Sequence, residues 1–252
     1  MSQFKDRIVV VTGSAGGIGE ICASDFAREG AHVFLLDLPG ERFDEANARI
    51  GALGQTTAIA TDVGDRAAVE AAFEQIAKAG GADILVTTAA IVKAAPILDF
   101  DPEDWDHILR VNLTGSFHSA QLAGRQMLEK GWGRIITLSS INGQVANTGR
   151  GAYSCTKGGV DMLTRLLAAE LGDKGITANA VAPAPVDTPM ILKVHGRKDR
   201  EVWENQIPAK RYAQADEVAG TVRFLASDEA AYINGHILNV DGGFMASGIL
   251  LR

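Results

Sequence analysis

Tyr153 and Lys157 stand four residues apart in the run Tyr153-Ser154-Cys155-Thr156-Lys157. On a helix that spacing puts both side chains on one face. A free phenol has a pKa of about 10, too high for a general base at neutral pH. A neighbouring ammonium favours the phenolate and lowers that value, which suits the pair to acid–base work on an alcohol. Ser140 ends an apolar run 13 residues before Tyr153, where it could hydrogen-bond the oxygen of such a substrate. Polar side chains at the C-terminal end of a buried strand belong on the ligand side of an open α/β sheet. Ser139 and Ser140 could equally cap a helix or turn, and Ser139 suits that role better.

A second constellation lies near the start. Thr12-Gly13-Ser14-Ala15-Gly16-Gly17-Ile18-Gly19 follows one apolar run and opens a helical pattern. Glycines at such a junction let the backbone turn tightly and approach a pyrophosphate, whose charge the helix N-terminus stabilises. Gly13, Ser14, Gly17, Ile18 and Gly19 are the expected contacts. The next apolar run ends at Asp37, 18 residues beyond Gly19. An acid there accepts hydrogen bonds from the adenine ribose and repels a 2′-phosphate, so NAD is expected over NADP. Arg28 and Arg42 are near, but neither directly follows the glycine loop. Asp62-Val63 could contact adenine or serve a turn or cap.

The elements that must position these residues alternate. Ile8–Thr12, Val33–Asp37, Thr57–Thr61, Ile84–Thr87, Ile135–Ser139, Thr177–Ala182 and Ile237–Val240 read as strands. They are too continuously apolar to leave one face wet. Helical patterns cover Ile18–Glu29, Arg66–Ala79, Trp105–Glu129, Tyr153–Leu171 and Ala215–Ala226. This alternation predicts an α/β fold: one domain over 1–252, with a doubly wound, Rossmann-type parallel seven-stranded sheet flanked by helices. The rhythm breaks at about 184–212. Four of the seven prolines fall between Pro183 and Pro208. A long irregular insertion in a compact domain is usually functional, and a substrate lid is expected.

Bulk properties narrow the field. The net charge of −7 gives no reason to expect a nucleic-acid partner, which would favour a basic face. Two distant cysteines, Cys22 and Cys155, predict neither a disulfide framework nor a metal site. A helix-packing role is expected for Cys155. No apolar run approaches the roughly 18 residues of a membrane span, and the start lacks a signal-peptide core. A cytoplasmic location is expected.

Taken together, the T-G-x-x-x-G-x-G turn, Ser140, Tyr153-x-x-x-Lys157 and Asn112 resemble a short-chain dehydrogenase/reductase, from Ile8 to Gly243. The resemblance implies a catalytic tetrad of Asn112, Ser140, Tyr153 and Lys157. Tyr153 would take the proton of a secondary alcohol while a hydride passes to the nicotinamide. Lys157 would lower the phenol's pKa and hold the nicotinamide ribose. Ser140 would orient the substrate, and Asn112 would hold a water of the proton relay. Pro183, Val186 and Thr188 would border the nicotinamide. A homotetramer built on two long helices is also implied. The expected reaction is NAD-linked oxidation of a sugar, polyol or hydroxy acid. The alternatives are a 3-oxoacyl-carrier-protein type ketoreductase and a catalytically silent dinucleotide sensor.

The chain departs from that pattern twice. Thr87-Thr88-Ala89-Ala90 replaces an N-N-A-G segment beside the adenosine, where Ala89 and Ala90 are expected contacts. Thr offers fewer hydrogen-bonding groups than Asn, and Ala90 lacks glycine's freedom. Ala184 stands where a glycine is usual. For the substrate, Asn142, Arg150, Lys193, His195 and Arg197 are the expected contacts. The basic lid residues, with Lys93 and Arg150, could clamp an anionic group, or could form a solvated face balanced by Asp199, Glu201 and Glu204.

Overall fold

The computed structural model describes residues 3–247, save the side chains of Met190 and Lys193. Seven strands form one parallel sheet: β1 (Ile8–Thr12), β2 (His32–Asp37), β3 (Thr56–Ala60), β4 (Ile84–Thr87), β5 (Gly133–Leu138), β6 (Ile176–Pro183) and β7 (Ile237–Val240). Their order is β3-β2-β1-β4-β5-β6-β7. The chain winds outward from β1 to β3, returns to β4 beside β1, and winds the other way. Thr12 at the end of β1 therefore pairs with Leu36 on one side and Thr87 on the other. A crevice opens beyond the C-terminal ends of strands at such a reversal.

Strand side chains alternate between faces, so one strand feeds two cores. Val9 and Val11 of β1 join the core under α1 (Gly17–Arg28), α2 (Glu41–Gly51) and α9 (Ala215–Ala226). Ile8 and Val10 join the core under α3 (Arg66–Lys78), α5 (Gly115–Lys130) and α6 (Gly151–Leu171). Local chemistry sets several ends. Asp65 accepts the Ala67 N–H to start α3. Asp101 caps α4 (Pro102–Leu109), whose first residue is a proline. Gly131, left-handed at φ 64°, ends α5.

Some expectations need correction. The predicted continuous helix Trp105–Glu129 is α4 and α5 joined by one π turn, Arg110–Thr114. β3 is not dry on both faces: as an edge strand it leaves Ala58 and Ala60 exposed. Helix α2 escaped the reading, although Phe43, Ala46 and Ile50 mark its buried face. The segment at 184–212 is not irregular throughout. It folds into α7 (Pro189–Val194) and α8 (Arg197–Gln206). Cys155 is exposed, so it packs no helix interface within the chain.

Ile84 is fully buried in β4, between β1 and β5. Ile84→Ala should lower unfolding stability by about 2–5 kcal/mol, as large-to-small changes in tight cores do, measured by urea denaturation.

Candidate active site

The turn after β1 lies against the loop after β4. Gly13 has φ +70°, and a Cβ there would lie 2.5 Å from the Ala89 nitrogen. A Cβ at Gly19 would overlap the Gly13 carbonyl and the Thr88 hydroxyl. Thr88 Oγ1 donates to the Thr12 carbonyl at 2.7 Å. The threonine thus still ties the glycine turn to the sheet centre. Ala89 and Ala90 are half-buried behind it. A Cβ at Gly17 would lie 2.6 Å from Thr188 Cγ2, so the start of α7 closes over the same turn. Helix α1 begins at Gly17 with no side-chain cap, and Ile18 faces the cleft. The Ser14 hydroxyl is buried with no hydrogen-bond partner among the described residues. An open backbone cradle, an uncapped helix start and an orphaned hydroxyl fit a dinucleotide pyrophosphate.

Asp37 stands at the rim of this cradle. Its Oδ2 accepts the Ala15 N–H at 2.8 Å and its Oδ1 the Leu38 N–H at 2.8 Å. The Arg42 guanidinium also reaches the turn, with Nη2 3.9 Å from the position a Gly16 Cβ would take. Sequence separation had hidden that approach. Asp62 lies beyond β3, which stops at Ala60, and its Oδ1 accepts the Gly64 N–H at 2.8 Å. Val63 is buried.

Tyr153 and Lys157 lie in the first two turns of α6. Tyr153 is partly exposed to the cleft and hydrogen-bonded to Ser140. Burial raises its pKa above the ordinary phenol value, while the Ser140 hydrogen bond and the Arg150 charge pull it down. Lys157 stands beside the phenol ring. Its Nζ lies 5.5 Å from the Tyr153 ring centre and donates to the Leu138 carbonyl at 2.6 Å. Burial brings Lys157 itself down to about 8, opposed by the Asp161 carboxylate. Ser140, not Ser139, does the capping: its Oγ accepts the Asn142 N–H at 3.1 Å. Ser139 reaches the Lys157 carbonyl at 3.4 Å.

Asn112 sits in the π turn, fully buried. Its Oδ1 accepts the Ile91 N–H at 2.8 Å, and its Nδ2 donates to the Ile91 carbonyl at 2.9 Å. Nδ2 also reaches Thr156 Oγ1 at 3.3 Å. The side chain thus ties the loop after β4 to α6.

Above these groups lies a cleft of about 130 Å³. Ser140, Asn142, Arg150, Tyr153, Pro183 and Val186 line it, with Thr188 and His195 from the lid side. Ala184 lines it too, and its methyl packs with Ile141 and Ile207. Trp203, Ile191 and Val194 also contribute, and they went unnoticed in the sequence because no local pattern marks a lid's inner face. Two expected contacts are elsewhere. Arg197 is 93% exposed at its side chain and pairs with Glu201. Lys93 pairs with Asp104. The Lys193 side chain lies outside the described residues. Asp161 is a further buried acid that the sequence reading missed; spacing could have found it, one turn beyond Lys157.

A phenol and a serine hydroxyl facing a small cleft beside a nucleotide cradle can pass a proton to or from a bound alcohol. Known proteins agree with that chemistry. A sequence model of the family described as enoyl-(acyl carrier protein) reductase matches residues 13–245. D-threitol dehydrogenase of Mycolicibacterium smegmatis is 38% identical over 244 residues, 96% of this chain and 94% of that protein. A 3-oxoacyl-acyl-carrier-protein reductase of Thermotoga maritima is 35% identical over 245 residues, 96% of this chain and 99% of its own length. The crystal structure of a gluconate 5-dehydrogenase from Burkholderia cenocepacia, in complex with NADP and tartrate, superposes with a TM-score of 0.92 at 34% identity. It covers 98% of this chain and 99% of that one. The chain belongs to the short-chain dehydrogenase/reductase family of oxidoreductases that act on CH–OH groups.

Proposed function

We propose that this protein oxidises a secondary alcohol with NAD as hydride acceptor, and that Tyr153 is the general base. The observation that carries the reading is the Tyr153 phenol, bonded to Ser140 and facing a cleft bordered by Ile18, Pro183, Val186 and Thr188. When bound, the nicotinamide accepts the hydride from the alcohol carbon. Ser140 holds the substrate oxygen toward Tyr153, which takes the hydroxyl proton. Lys157 turns from the Leu138 carbonyl to hold the ribose and supply positive charge to the phenolate. Asn112 fixes the loop after β4 against α6 so that this geometry persists. Gly13, Ser14, Gly17, Ile18 and Gly19 hold the pyrophosphate, and Ala89 and Ala90 border the adenosine. Asp62 and Val63 flank the adenine.

Asp37 at the cradle rim supports NAD, since a 2′-phosphate would meet its negative charge. One observation favours a second reading, NADP-linked turnover: the Arg42 guanidinium at the glycine turn. The gluconate 5-dehydrogenase relative was solved with NADP, and the 3-oxoacyl reductase relative points to ketone reduction. A homotetramer is supported by Phe117, Met162 and Leu166, large apolar side chains exposed on α5 and α6. No described helix is long and apolar enough to cross a membrane, and we place the protein in the cytoplasm as one domain whose lid is 184–212.

Four outcomes test this reading. Tyr153→Phe should lower kcat by about 10²–10⁴-fold while leaving NADH binding, read by fluorescence titration, close to the parent's. An indifferent variant would instead favour the silent sensor. Asp37→Ser should shift the NAD to NADP ratio of kcat/KM at least tenfold toward NADP. A base must be deprotonated to act, and burial raises the Tyr153 pKa. Oxidation kcat/KM should therefore climb from pH 6 to 9 while ketone reduction falls. Ser140→Ala removes a hydrogen bond that lowers that pKa, so the rising limb should move to higher pH.

A further inference from the structure

The described lining of the cleft holds two groups suited to an anion, Arg150 and His195, and no carboxylate. Arg150 precedes α6, three residues before Tyr153. Its Nη1 is buried and has no hydrogen-bond partner among the described residues. Other arginines near the lid are spent on acids. Arg200 grips Asp187 with two bonds of 2.7 and 2.9 Å, and Arg197 pairs with Glu201. A guanidinium left with a buried, unpaired N–H carries an uncompensated desolvation cost, which an oxyanion relieves and a neutral hydroxyl relieves only in part.

His195 follows α7 and is tied from behind. Its Nδ1 lies 2.7 Å from the Tyr212 hydroxyl, and its ring stacks on Trp203 at 12° between planes. Tyr212 is almost wholly buried and its pKa is pushed up to about 12, so its hydroxyl is a proton donor at working pH. With Nδ1 accepting that proton, a neutral ring carries its own hydrogen on Nε2. Burial and the charge of Arg150 both favour the neutral ring, with Asp199 opposing them. Arg200 lies 4.5 Å from the Tyr212 ring centre and anchors the stack to Asp187. In that tautomer His195 offers Nε2–H as a donor on the lid.

We propose that the cleft selects hydroxy acids: Arg150 pairs with the substrate's carboxylate or sulfonate, His195 Nε2–H adds a second hydrogen bond, and the secondary hydroxyl lies against Ser140 and Tyr153. This rests on the reading of Tyr153 as the base. Among the described residues of the basic cluster, it names Arg150 and His195. Binding an anion offsets the positive charge that lowers the Tyr153 pKa. Hydroxy acids should therefore show an oxidation limb at higher pH than neutral alcohols.

The test compares matched pairs on the full-length protein with NAD⁺ and NADP⁺: threitol with threonate, butan-2-ol with 3-hydroxybutyrate, and propane-1,2-diol with 2-hydroxypropane-1-sulfonate. The acid of at least one pair should have a kcat/KM about 100-fold above its neutral partner. Arg150→Met should collapse that ratio about 100-fold, chiefly through KM, while Arg150→Lys restores part of it. His195→Phe should reduce it about tenfold. Equal use of both members of every pair, or a ratio that survives Arg150→Met, overturns the proposal. If nothing is turned over, the acids are titrated against the NADH-bound protein by fluorescence. Saturable binding lost in Arg150→Met supports the clamp, and no binding of any acid overturns it. Failure to bind NADH at all would instead overturn the dinucleotide reading beneath it.

Discussion

The structure depends on one close approach, where the glycine turn after β1 meets the loop after β4. Two parallel strands that lead away to opposite sides of the sheet leave their C-terminal ends side by side. The backbone at Gly13 must then pass within contact of Ala89, in a left-handed conformation that side chains rarely adopt. Gly19 must give space to the Gly13 carbonyl and to Thr88. Once that contact is made, α1 starts at the sheet's edge with its first N–H groups facing the crevice. Everything that binds or reacts is arranged around this junction.

The proton-transfer residues rest on a more costly arrangement. α6 buries Lys157 and, one turn on, Asp161, beside Ser139 and the end of β5. Burial disfavours the lysine's charge and raises the pKa of Asp161, so each lends the other part of what water would supply. A free protein that keeps its lysine donating to Leu138 holds the charge close to the phenol without committing it there. Asn112 adds rigidity from the other side. The π turn rotates its side chain into the gap between the Ile91 backbone and Thr156, so that α5, the loop after β4 and α6 share one set of hydrogen bonds.

The lid is held by a small apolar cluster around Ala184, Ile207 and Trp203 and by a chain of charged and aromatic contacts. Asp187 pairs with Arg200, Arg200 covers Tyr212, and Tyr212 orients His195, which stacks on Trp203. This chain of contacts leads from a half-buried ion pair to the inner wall of the cleft. Arg200 thus shapes the site indirectly, and Arg150 keeps a buried Nη1 without a partner among the described residues.

Much of this was readable in the order of residues. Strand cores such as Ile8–Thr12 and Ile84–Thr87, the glycine turn and the Tyr153–Lys157 spacing are local patterns, and local physics decides them: apolar runs bury, glycines turn, and residues four apart share a helix face. Other features are set at a distance. Arg42 reaches the glycine turn only because α2 packs beside α1. Lys157 bonds the Leu138 carbonyl because β5 ends beneath α6. Arg197 and Arg200 are paired because Glu201 and Asp187 meet them in the folded lid. The sequence alone determined the fold class and the family, because those rest on periodicity and short spacing. Only the tertiary structure decided which charges are paired and which are left for a ligand, because pairing depends on residues that meet in space after folding.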